Sequence, residues 1–136
     1  MQYFYEDNRK RENFMMMPKE LYSDERFSSL SLEAKNLYCM MLDRMSLSAQ
    51  NDYRDSDGRI FIFFTIKEAM EKLGVGKNKC LRIFSELDVN GGAGLIERKK
   101  SGQGRAAKIY VLNYTENDET EVVSDENINF CSSSLP

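Results

Sequence analysis

At 136 residues, with 41% hydrophobic and 30% charged side chains, the chain has material for one ordinary core and a tail, and no apolar run approaches the ~20 residues of a membrane-spanning helix. Histidine is absent, which removes the commonest general base and metal ligand, and Cys39, Cys80 and Cys131 are too widely spaced for a disulfide framework or a zinc site. The net charge of −3 is unevenly spread, with −2 over 1–64, +5 over 65–114 and −6 over 115–136, so a ligand at the middle segment meets a basic surface.

Residues 1–13 contain no h-region and no small-residue cleavage site; they are expected to form a flexible N-terminal arm of a cytoplasmic protein. The apolar run Phe14, Met15, Met16, Met17, Leu21 and Tyr22 is expected to complete the core or a dimer contact. Ala34, Leu37, Tyr38, Met41, Leu42 and Met45 then fall on one helical face, with Ser31 as N-cap and Glu33 in the first turn. Asp57-Gly58 predicts a turn into a strand over Arg59 to Phe64, and the continuously apolar run Ile60–Phe64 implies burial on both faces or cover by a neighbour. Thr65 and Glu68 have the spacing of a capping box, and Gly74 closes that short helix. A second short helix follows in "KNKCLRIFSELDVNGG", with Leu81, Phe84 and Leu87 expected on its buried side and Gly91-Gly92 as its stop. "LIERKK", "SGQGR" and "AAKIYVLNY" predict two strands joined by a glycine-bearing connection. The last segment, 115–136, is acidic and Ser/Asn-rich and is expected to be a disordered linker or tail.

Helix, strand, helix, helix, strand, basic hairpin is the order of a winged helix-turn-helix. The expected fold is therefore α+β with a small antiparallel sheet, occupying residues 14–114. Three lookalike motifs fail. "YRDSDGRI" has the acids of a calcium loop, but Tyr53 and Phe64 stand at its first and last ligand positions. "GVGKN" lacks the leading glycine and the Ser/Thr of a phosphate loop, and "GQG" opens no helix. No cofactor or metal is expected, and no pair of catalytic groups stands out.

The candidate DNA-binding residues form two groups. Lys77, Asn78, Lys79 and Arg82 lie at the start of the second short helix, opposite its apolar side, as a recognition helix requires. Asn pairs bidentately with adenine, and Arg or Lys with guanine. Arg98, Lys99, Lys100, Gln103, Arg105 and Lys108 surround the glycines of the connection, where a wing meets phosphates or the minor groove. Each group alone has a plain alternative, a solvated helix face and a charged edge strand that resists aggregation. The pairing of the two favours double-stranded DNA.

"FMMMPKELYSDERFSSLSLEAKNLYCMMLDRMSLS", "GRIFIFFTIKEAMEKLGVGKNK" and "GLIERKKSGQGRAAKIYVLNY" resemble the RepA N-terminal-domain family of plasmid replication initiators, common on plasmids of Gram-positive bacteria, from about Phe14 to Tyr114. The resemblance implies a winged-helix domain, often dimeric, that recognises repeated sites at a plasmid origin to initiate replication. It also implies a separate C-terminal domain, absent here, that engages host replication proteins. The sequence departs from the family pattern at Gly76, where Ser is usual. It departs again at Tyr53, where Trp is usual, and at Gly104-Arg105-Ala106-Ala107, where Gly-Lys-Pro-Asn is usual. A winged-helix transcriptional regulator and a winged-helix protein-interaction module are the alternatives; the first has no candidate effector pocket and the second does not need a basic wing.

Overall fold

The computed structural model describes residues 3, 5, 14–100, 102 and 104–115. The expected arm and acidic tail therefore lie almost wholly outside the described residues, as does Gln103. Four helices and a two-stranded sheet follow in order: α1 (Glu20–Ser23), α2 (Leu32–Gln50), α3 (Ile66–Leu73), α4 (Lys77–Leu87), β1 (Ile96–Lys99) and β2 (Lys108–Val111). The strands are antiparallel, pairing Ile96 with Val111 and Lys99 with Lys108. This is the expected α+β helix-turn-helix with a hairpin, with α1 added and no continuous strand before α3.

The helix α2 forms the spine of the domain. Ser31 caps it, its Oγ accepting from the Ala34 N–H at 3.1 Å. Ala34, Leu37, Tyr38 and Met41 are buried at the predicted spacing and meet Leu21 of α1, Phe27, Ile62, Phe84 and Ile109 in one core. The Tyr38 hydroxyl donates to the Leu112 carbonyl at 2.6 Å, so the end of β2 is fastened to α2 through a satisfied buried group. Among the described residues, no helix is long and apolar enough to cross a membrane.

The start of α3 is half of the expected capping box. Thr65 Oγ1 accepts from the Glu68 N–H at 3.0 Å. The Glu68 carboxylate does not return to Thr65; it takes both terminal nitrogens of Arg44 on α2, one of them at 2.8 Å. Gly74 ends α3 in the left-handed region, at φ 68°, and its N–H bonds the Met70 carbonyl at 2.9 Å. The turn into α4 is thus three residues long.

The predicted strand over Arg59–Phe64 is not a continuous strand. It pairs at single positions, Ile60 with Arg54 and Ile62 with Ile109. Its other backbone groups go elsewhere: the Phe61 N–H to the Tyr53 carbonyl at 3.2 Å and the Phe63 carbonyl to Arg44 at 2.9 Å. Its continuous apolar pattern nonetheless has two faces. Ile62 and Phe64 enter the core, while Phe61 and Phe63 join Tyr53 and Tyr110 in an aromatic cluster on the other side.

Candidate nucleic-acid interface

The helix α4 is built so that one side docks and the other is presented. Cys80, Ile83, Phe84 and Leu87 are buried, at i, i+3, i+4 and i+7. This corrects the expected docking stripe: Leu81 is 41% exposed and lies on the presented side. Gly76 precedes the helix in an extended conformation without a side-chain cap, which costs only a few tenths of a kcal/mol relative to Ser. At the other end Gly92 is required by close approach, since a Cβ there would stand 2.2 Å from the Ser85 carbonyl oxygen.

The angle of α4 against α2 is held by a carboxylate. Glu86 accepts from the Ser31 N–H at 2.8 Å and from the Ser31 hydroxyl at 2.9 Å, which fills the N-terminal anion position of α2 from within the protein. Nearby, Lys79 Nζ lies 3.0 Å from Glu33 Oε2. That hydrogen bond holds the Glu33 carboxyl below its ordinary pKa. Lys79 is therefore an ion-paired flank of the helix. Lys77, Asn78 and Arg82 are exposed, and their side chains make no hydrogen bond or ion pair with another described residue.

The wing residues divide by strand alternation. Arg98 stands opposite Ile109 on the inner side of the hairpin, its Nε 2.6 Å from Asp88 Oδ2 and its guanidinium 5.4 Å from the Phe84 ring centroid. Arg98 thus ties the hairpin to the end of α4 while its side chain stays about one-third exposed. Lys99 and Lys108 face each other on the outer side, Lys99 Nζ 5.7 Å from the Tyr110 centroid and Lys108 Nζ 4.7 Å from that of Phe61. Lys100 and Arg105 are exposed. Ala106 and Ala107 line a cleft of about 250 Å³ with Thr65 and Ile66 of the α3 start and Phe84 of α4. The wing base thus lies against the helix-turn-helix, and the departure from Pro-Asn falls in that contact.

Behind the wing, the loop that resembled a calcium site is closed by protein groups. The Asp55 carboxylate accepts from the N–H groups of Asp57 and Arg59, each at 2.9 Å, from Arg59 Nε at 2.9 Å and from the Tyr110 hydroxyl at 3.0 Å. Burial raises its pKa, but these donors outweigh burial and hold the carboxyl at about 2. Sequence reading missed this role because Tyr110 is distant in the chain.

One solved structure, described as an N-terminal domain of a DNA binding protein, is 25% identical with a TM-score of 0.62, covering 97% of this chain and 95% of that one. Another, described as a Rep–DNA complex, is 25% identical with a TM-score of 0.62, covering 98% and 96%. A "41 kDa protein" of Lactobacillus helveticus is 32% identical over 119 residues, 83% of this chain; the chain spans 33% of that relative's length. The family model for the N-terminus of replication initiator protein A (RepA) matches residues 13–125. The chain belongs to that RepA N-terminal family.

Proposed function

We propose that this domain binds double-stranded DNA sequence-specifically, at repeated sites of a plasmid origin, and thereby takes part in initiating plasmid replication. The observation that carries the reading is the division of α4: four apolar side chains dock it, while Lys77, Asn78 and Arg82 stand exposed and uncommitted. A helix so mounted enters the major groove with donors and acceptors free for base edges. Lys99, Lys100, Arg105 and Lys108 on the adjoining wing supply phosphate contacts. Membership of the RepA N-terminal family and similarity to a Rep–DNA complex support this.

The role is binding without catalysis, in the cytoplasm. Repeated sites call for a homodimer or higher assembly. Contacts with host replication proteins belong to the rest of the longer protein, of which the curated relative is an example. Selection of bound duplexes from a random pool, followed by salt titration of the best binder, tests the reading. An enriched repeat-like motif is expected, with log K falling against log salt at about 0.9 per phosphate contacted. Retention without enrichment reduces the domain to an electrostatic binder, and no retention favours a protein-interaction module.

A further inference from the structure

Two stripes run along α4 at the same spacing. Cys80, Ile83, Phe84 and Leu87 face the core, and Asn78, Leu81, Arg82 and Ser85 occupy i, i+3, i+4 and i+7 on the roughly opposite side. Three of the four presented side chains carry hydrogen-bonding groups. The fourth, Leu81, is a large apolar group left 41% exposed amid them. The docking stripe is complete without it, so core packing does not account for a leucine at this position.

We propose that Leu81 is a specificity-determining residue that recognises the 5-methyl group of a thymine in the major groove. This rests on the duplex-DNA reading above. In that groove thymine alone among the four bases presents an apolar group, and an aliphatic side chain is its natural contact. Asn78, one turn before Leu81, carries the amide that pairs with adenine N6 and N7. Asn78 and Leu81 together therefore suit A·T pairs, read as the purine edge by one and the methyl by the other. Set against a cytosine amino group or a guanine carbonyl, Leu81 would leave a desolvated polar edge unpaired, which adds rejection of the wrong base to attraction of the right one.

The test replaces each thymine of the selected duplex, one at a time, by uracil, which keeps the base pairing and removes only the methyl. Affinities are measured for the wild-type chain and for Leu81→Ala, whose folding is checked by thermal melting. At one thymine the wild type is expected to lose about fourfold in affinity, the equivalent of one methyl group removed from water. Leu81→Ala should bind the two duplexes alike. The proposal is overturned if uracil costs nothing at any position, or if its cost persists in Leu81→Ala; either result leaves the duplex reading intact. Failure to enrich any duplex would overturn both, and a sequence-enriched pool with no methyl dependence separates the two failures.

Discussion

Arg98 and Asp88 form the joint between the β1–β2 hairpin and α4. The guanidinium Nε donates to the Asp88 carboxylate at 2.6 Å, and the Asp88 side chain is only 6% exposed. Asp88 also accepts the Asn90 N–H at 2.9 Å and bridges its backbone to Ile96 at the start of β1. One residue thus ends α4, shapes the glycine turn and receives the cation of the wing. The orientation of the hairpin relative to α4 is fixed by this pair before any DNA arrives.

Arg98→Ala is therefore expected to act on stability. It leaves a nearly buried carboxylate short of its charged donor, at a cost of about 1–3 kcal/mol, moderated by the partial exposure of Arg98 itself. The melting temperature should fall by about 5–15 °C for a domain near 100 residues. Lys100→Ala, on an exposed wing residue with no side-chain partner among the described residues, should leave it within a degree or two, since surface changes of this kind lie within about 0.5 kcal/mol. Circular dichroism melts of the two variants separate these roles, and equal melting temperatures would show that the Arg98–Asp88 pair does not hold the hairpin.

How much of this was legible before folding depends on the range of each interaction. The α2 face, the Thr65 cap, the Gly74 stop and both hairpin strands follow from spacings within a few residues, and all are present. Leu81 was placed on the wrong side because Leu81, Phe84 and Leu87 repeat at i, i+3 and i+6, which drifts around a helix. Counting Cys80 as apolar gives Cys80, Ile83, Phe84 and Leu87, which does not drift. Alternation with Ile96 would have turned Arg98 inward, yet only tertiary structure supplies Asp88 as the reason. Glu33 beside Lys79 and Tyr110 beside Asp55 lie far apart in sequence and left no local trace.

The proposed division of labour between α4 and the wing has a thermodynamic signature. Arg82→Ala should lower affinity for the selected duplex tenfold to a hundredfold while sparing random DNA, from about 1–3 kcal/mol per base contact. Lys100→Ala should weaken both alike and reduce the salt slope by about one. Parallel titrations on cognate and random duplexes decide it. An even loss of affinity in both variants would mean that α4 does not read bases.

Glu33 sets the charge available from Lys79. Replacing it by Gln releases the ammonium and removes a negative group beside α4, the helix proposed to face DNA. Affinity for cognate and random duplexes should rise together, about two- to fivefold at low salt, and the gain should fade as salt screens it. A loss of affinity in Glu33→Gln would instead show that the pair holds Lys79 in its binding position.

Acid should unfasten the loop behind the wing. Four donors stabilise the ionised form of Asp55, so its folded pKa of about 2 lies below the ~3.9 of an unfolded aspartate. A depressed pKa means that the unfolded chain binds the proton more readily. The stabilisation is therefore complete above about pH 4 and is lost as pH falls towards about 2. Asp55→Asn keeps the size of the side chain but cannot match a carboxylate as acceptor for Arg59 and Tyr110. Its melting temperature should lie below that of the wild type at pH 6, and the gap should close between about pH 4 and pH 2 as the wild-type carboxyl is protonated. Tyr110 and Lys99 face the same side of the wing, so the loosened loop should also make amide exchange at β2 faster in the variant at neutral pH. A gap that stays constant down to pH 2 would assign the stabilisation to packing of the loop and not to the ionised carboxylate.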